Sequence, residues 1–170
     1  LDKINVLQEV SDVLENKNNP HLFTPETALR TTLGGGWRSG GVSFENDISF
    51  YLPKNIPLDN IDLSIKDSEG NRVVNFKEDT DYLYDVDFDS STIYSGVHTV
   101  YWDLEHKAPK LQNDFISMYY SARRGRGPDA IPGNYVIEME VDGKSYTKPF
   151  IVAIDPRWEI PESDLIKQYE

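Results

Sequence analysis

Three groups of residues in this 170-residue chain could do chemistry, and each points to a different ligand. The run DVDFD brings Asp85, Asp87 and Asp89 together, with Asp79 and Asp81 just upstream. A hard cation such as calcium needs several carboxylate oxygens from closely spaced positions, so this run is the candidate metal site. An EF-hand template nevertheless fails on it. That loop needs a glycine after its third acidic position and a closing bidentate glutamate, and Ser90 and Gly96 stand there instead. Val86 and Phe88, alternating with the acids, give the competing reading of a strand with its apolar face inward and aspartates outward. The segment ARRGRG places Arg123, Arg124 and Arg126 in the one basic cluster of an acidic chain. Its planar donors suit a carboxylate or phosphate, or an acidic surface of a neighbouring domain. Trp37, set among glycines beside Arg38, offers a ring that could stack on a sugar or anchor into an adjacent body.

The remaining polar residues give less. His21, His98 and His106 share no spacing suited to metal and stand in no serine or cysteine motif. With no cysteine in the chain, disulfides, thiolate metal sites and thiol catalysis are excluded. A balance of 17 basic to 29 acidic residues, net −12, favours solubility and argues against nucleic acid or an anionic membrane as partner. No apolar run approaches the roughly 20 residues that span a bilayer, so no membrane insertion is expected. The chain opens on Leu1 and reads as a fragment of a longer polypeptide, so any targeting signal is expected to lie outside it.

The elements that would position these groups are mostly strands. Asp2–Asn16 places Ile4, Leu7, Val10 (or Ser11) and Leu14 at helical spacing, widened by Val6 and Val13, which predicts a short amphipathic helix. From Asn18 to Gly41, Pro20, Pro25 and a run of glycines predict a long connecting loop. Strand alternation then recurs at Val42–Leu52, Ile61–Lys66, Arg72–Phe76, Tyr82–Phe88 and Val97–Leu104. Trp102 falls on the face of Val100 and Leu104 and is expected in the core.

The clearest stretch is Pro132–Pro156. Tyr135, Ile137, Met139 and Val141 alternate up to Asp142–Gly143, a type I′ turn pair, which pairs Val141 with Lys144, Met139 with Tyr146 and Tyr135 with Phe150. Pro149 lacks a ladder donor and predicts an edge, a bulge or a change of sheet near it. Glu162–Ser163–Asp164 before Leu165, Ile166 and Tyr169 reads as the start of a C-terminal helix. The fold class is therefore all-β: an Ig-like or fibronectin type III-like β-sandwich of about seven strands. The expected organisation is an N-terminal helix and loop over 1–41, the sandwich over 42–156, and a linker with the following helix over 157–170.

Several of these stretches together resemble a known family. GVSFENDISFYLP (41–53), IDLSIKDSEGNRV (61–73), VYWDLEHKAPK (100–110) and PGNYVIEMEVDGKSYTKPFIVAIDPR (132–157) are similar to the domain that follows the β-propeller in bacterial sortilin-like proteins. These proteins are often labelled glycosyl hydrolases with bacterial neuraminidase repeats. HLFTPETALR (21–30) looks like the segment leading from that propeller. Gly34–Gly41 and Gln112–Asp129 do not match the pattern. The resemblance implies a secreted, periplasmic or cell-surface setting and an upstream propeller as partner. The family's carboxylates lie on the propeller, so it assigns no catalytic residue here. The function expected is a non-catalytic accessory domain that packs on and positions the propeller, with no cofactor unless Asp85, Asp87 and Asp89 hold calcium. The alternative is a carbohydrate-binding module that holds polysaccharide through exposed aromatics such as Trp37. A stand-alone glycosidase ranks below both.

Overall fold

The computed structural model describes residues 4–30, 46–78, 91–106 and 128–156. Within them a single α-helix, α1 (Ile4–Glu15), precedes a series of strands. These are β1 (His21–Leu22), β2 (Ala28–Arg30), β3 (Asp47–Leu52), β4 (Ile56–Pro57), β5 (Ile61–Lys66), β6 (Arg72–Asn75), β7 (Thr92–Ile93), β8 (Gly96–Tyr101), β9 (Gly133–Val141) and β10 (Lys144–Ile154). A 3₁₀ turn at Leu58–Asn60 joins β4 to β5. The strands form one sheet in the order β1-β3-β8, a second in the order β2-β10-β9-β5-β6, and a small β4-β7 pair. The all-β expectation holds, although the described strands number ten rather than about seven, several of them only two to four residues long.

The hairpin has the register read from its turn: Val141 faces Lys144, Met139 faces Tyr146 and Tyr135 faces Phe150. Asp142 and Gly143 both carry positive φ, 50° and 76°, as a two-residue turn matched to strand twist requires. Tyr135, Ile137, Met139 and Val141 are buried while Val136 and Glu140 are exposed. β9 passes the same register to β5, where Ile61, Leu63 and Ile65 lie against Val141, Met139 and Ile137. Pro149 is accommodated without a bulge. The two-residue turn makes Pro149–Val136 one of the pairs that exchange no backbone hydrogen bonds, so the proline nitrogen faces away from β9. On that side β2 begins to pair only at Val152, and Pro149 sits on a local edge.

The connecting loop expected over Asn18–Gly41 requires correction. Its described part holds β1, antiparallel to β3, and β2, parallel to β10, so adjoining residues enter opposite sheets. Leu22, Phe23 and Ala28 are buried. Strands of two and three residues are too short for alternation to mark them, and Pro25 between them looks like loop punctuation because it turns the chain from one sheet to the other. The expected strand Tyr82–Phe88 and the C-terminal helix lie outside the described residues.

The core lies between the two larger sheets and is one continuous cluster of buried side chains. Trp102, fully buried just beyond β8, meets Tyr135 edge-on at 5.5 Å between ring centroids and Phe150 at 5.7 Å. Its indole N–H donates to the Glu105 carbonyl at 2.9 Å, and the Asn46 side chain donates to the Trp102 carbonyl at 2.9 Å, so the ring and the backbone around it are both satisfied. The Tyr135 hydroxyl donates to the Ile131 carbonyl at 2.6 Å.

Trp102→Ala should cost about 3–5 kcal/mol, because the cavity opens where the two sheets meet. Gly143→Ala should cost upwards of about 1 kcal/mol. The space around that position is open, so the cost comes from the φ of 76° alone. Urea denaturation of both variants measures the two effects, and a Trp102→Ala loss below about 1 kcal/mol would contradict the packing described.

Candidate functional site

Of the residues singled out in the sequence, Trp37, Arg123, Arg124, Arg126, Asp85, Asp87 and Asp89 all lie outside the described residues. Among the described residues no three histidine or acidic side chains are placed to hold a metal ion. The histidines stay apart. His98 Nε2 lies 2.7 Å from the Tyr94 carbonyl with its ring stacked on Phe50, and half-buried His106 is pushed below the usual imidazole range by burial, against an opposing pull from Asp67. His21 belongs to a different arrangement.

That arrangement is centred on Glu9 in the middle of α1. One carboxylate oxygen accepts the Thr24 backbone N–H at 2.8 Å; the other accepts from His21 Nε2 at 2.8 Å and from Lys148 Nζ at 3.3 Å. Lys148 also donates to the Thr24 hydroxyl at 2.9 Å. His21 is on β1 and Lys148 on β10, so a single carboxylate ties the helix to both sheets where the first strand divides. Burial alone would raise the Glu9 pKa; the Thr24, His21 and Lys148 interactions outweigh it and bring the carboxyl down to about 2. At the end of the helix, the Tyr51 hydroxyl on β3 donates to the Lys17 carbonyl at 3.1 Å.

Docked in this way, the helix presents a face that its apolar pattern does not predict. The half-buried side carries Val6, Glu9 and Val13, spaced three and four apart. Two residues of the apolar stripe, Leu7 and Leu14, are 65% and 67% exposed, and Val10 beside them is exposed as well. A polar residue with several well-placed partners has outcompeted a row of leucines for the inner face. Only one sequence signal could have indicated it: a glutamate flanked at helical spacing by two valines.

The second polar gathering is an open bowl of about 610 Å³ between the hairpin tip and the 3₁₀ turn, lined in part by Asp62, Arg72, Lys77, Glu140 and Asp142. Several of its charges already have partners. Asn75 donates to Asp62 at 2.7 Å, Lys77 to the Leu58 carbonyl at 2.9 Å, Asn60 to Asp142 at 3.0 Å, and Lys54 pairs with Asp142 at 3.0 Å. Among the described residues its lining includes no aromatic ring on which a sugar face could stack. What the arrangement does physically is bind the hairpin tip to the turn before β5.

The Glu9 interaction makes a pH-dependent prediction. Because the docked carboxyl titrates near 2 and a free glutamate at 4.5, docking stabilises fully above pH 4.5 and the contribution is lost as pH falls towards 2. The stability difference between the native chain and Glu9→Gln, about 1–2 kcal/mol near neutrality after solvent screening, should shrink across that window. Urea midpoints taken along a pH series test this, and a difference independent of pH would contradict it.

No family model and no curated protein matches the chain. Among solved structures it is similar to CopC from Methylosinus trichosporium OB3b, at 14% identity over 66% of this chain and 79% of that one, with a TM-score of 0.34. A likeness of that size carries no argument about this chain's function.

Proposed function

We propose that this chain is an Ig-like β-sandwich serving as a non-catalytic accessory domain, and that it seats a neighbouring folded body of the same polypeptide against the outward face of α1. The sandwich reading rests on particular features. The first strand is divided between two sheets, its second half parallel to β10, and Trp102 is fully buried against Tyr135 and Phe150. Tyr135 near the start of β9 is tied by its hydroxyl to a carbonyl four residues upstream, the corner that Greek-key sandwiches use to turn between sheets. The resemblance of the strand motifs to the domain following sortilin-like propellers supplies the kind of body, an upstream β-propeller outside the cell or in the periplasm.

The observation that carries the proposal is the clamped helix. Glu9 fixes α1 to both sheets, yet Leu7 and Leu14 point away from them. A free partner is disfavoured by size. Twelve residues of helix are roughly 18 Å long, and three side chains cover far less than the roughly 800 Å² per partner of a stable interface. The occupant is therefore tethered, so that effective concentration replaces area. A second copy is disfavoured by charge, since Asp12 and Glu15 border the stripe; a neighbour with an apolar patch and a basic rim fits better. The Glu9 and Asp142 carboxylates, both held below their usual pKa by hydrogen bonds, serve as cross-links, the opposite of a general acid poised near neutrality.

Leu7→Ser combined with Leu14→Ser should leave the stability of this chain within about 0.5 kcal/mol, because both side chains are already in water. In a polypeptide that also carries the adjacent body, the same pair should lower the thermal midpoint and open the junction to protease. An unchanged junction, or retention of the isolated chain on polysaccharide, would count against the seating role.

A further inference from the structure

Asp142–Gly143 is the sole Asp-Gly or Asn-Gly step in the sequence. Such a step can isomerise without any co-reactant. The glycine nitrogen attacks the aspartate Cγ, a C–N bond closes a five-membered succinimide, and the carboxyl oxygen leaves as water with the amide proton. Water then adds to either carbonyl, and the chain reopens through the original α-carboxyl linkage or through the β-carboxyl. The reaction needs an unhindered nitrogen, which glycine supplies, and a carboxyl that is protonated and free to turn towards it.

The structure satisfies the first condition and opposes the second. The tip of the hairpin is exposed, nothing lies within 4 Å of where a Gly143 Cβ would be, and the ladder bonds next to the turn join Val141 and Lys144. The Asp142 carboxylate is bracketed: Oδ1 accepts from Asn60 Nδ2 at 3.0 Å and Oδ2 pairs with Lys54 Nζ at 3.0 Å. The Asp142 backbone N–H donates to the Asn60 carbonyl at 2.9 Å, so main chain and side chain are both drawn to the 3₁₀ turn. We propose that Asp142–Gly143 is the isoaspartate-forming site of this chain and that Lys54 and Asn60 restrain it by holding the carboxylate away from the Gly143 nitrogen. The same two partners, with Lys144 nearby, keep the carboxyl ionised, and an ionised carboxyl loses its oxygen poorly. The restraint matters because a β-linkage adds a methylene to the backbone of a two-residue turn, and β5, β9 and β10 all take their register from that turn.

The test is ageing of the folded chain in mildly acidic buffer. An isoaspartyl methyltransferase reports each β-linked carboxyl by transferring a labelled methyl group, and electron-transfer mass spectrometry places it. Lys54→Ala, at an exposed side chain, and Asn60→Ala should each accumulate label at Asp142 several-fold faster than the native chain, and the double variant faster still. Lys54→Arg should return the rate towards native. In urea all five chains should react alike, which separates release of the bracket from general unfolding. Equal rates in the folded native and variant chains, or label found at Asp67–Ser68 in place of Asp142, would overturn the proposal.

Discussion

Asp142 and Gly143 are held at positive φ, and the register of the largest described sheet descends from that constraint. A two-residue turn admits one pairing of its strands, and a slip of one residue would turn every buried side chain of β9 outward. β9 in turn sets β5, and β10 receives β2 along its last three residues. The same register sets Tyr135 opposite Phe150, and Trp102 arrives from the other sheet to meet both rings. A backbone requirement at two residues thus determines which aromatic rings share the core. The ties from Asn60 and Lys54 to Asp142 fasten the turn to the rest of the molecule.

The apolar core sets the spacing of the sheets, and polar groups join elements at its margins. Glu9 joins α1, β1 and β10. Arg30, at the end of β2, donates to the Ala130 carbonyl at 3.1 Å and to Asp129 at 3.0 Å, fastening the split strand to the approach to β9. Asn46 does the same for the chain around Trp102. Such groups suit margins because a partly buried carboxylate or guanidinium with several partners is directional in a way that apolar contact is not. The consequence for function follows at α1. The inner face of the helix is held by a charged clamp between Val6 and Val13, and Leu7, Val10 and Leu14 remain available for something else.

What could be read from the sequence tracks the length and purity of each pattern. β9 and β10 are long and joined by a two-residue turn of recognisable sequence, and β9 alternates in burial along its inward positions, so their register was legible to the residue. β5 and β6 were legible for similar reasons, with Asp67 accepting backbone N–H groups across the tight turn between them. β1, β2, β4 and β7 were not, because two or three residues give alternation no room and their partners are distant in sequence. α1 was found, but which of its faces docks was not legible. Hydrophobic periodicity weighs leucines, whereas the outcome depended on four polar groups brought together from α1, β1, the β1–β2 turn and β10. Trp37, the aspartate run and the arginine cluster lie outside the described residues, and the polar sites that are described arise from residues with no local motif.

The central claim, that α1 is held by Glu9 so that its leucines can receive an adjacent body, is tested most directly by a thiol probe. The chain has no cysteine, so Leu14→Cys introduces a unique label site. Labelling should approach the rate of a free thiol in the isolated chain and slow many-fold in a polypeptide that carries the adjacent body. Equal rates in the two settings, or a thiol already shielded in the isolated chain, would contradict it.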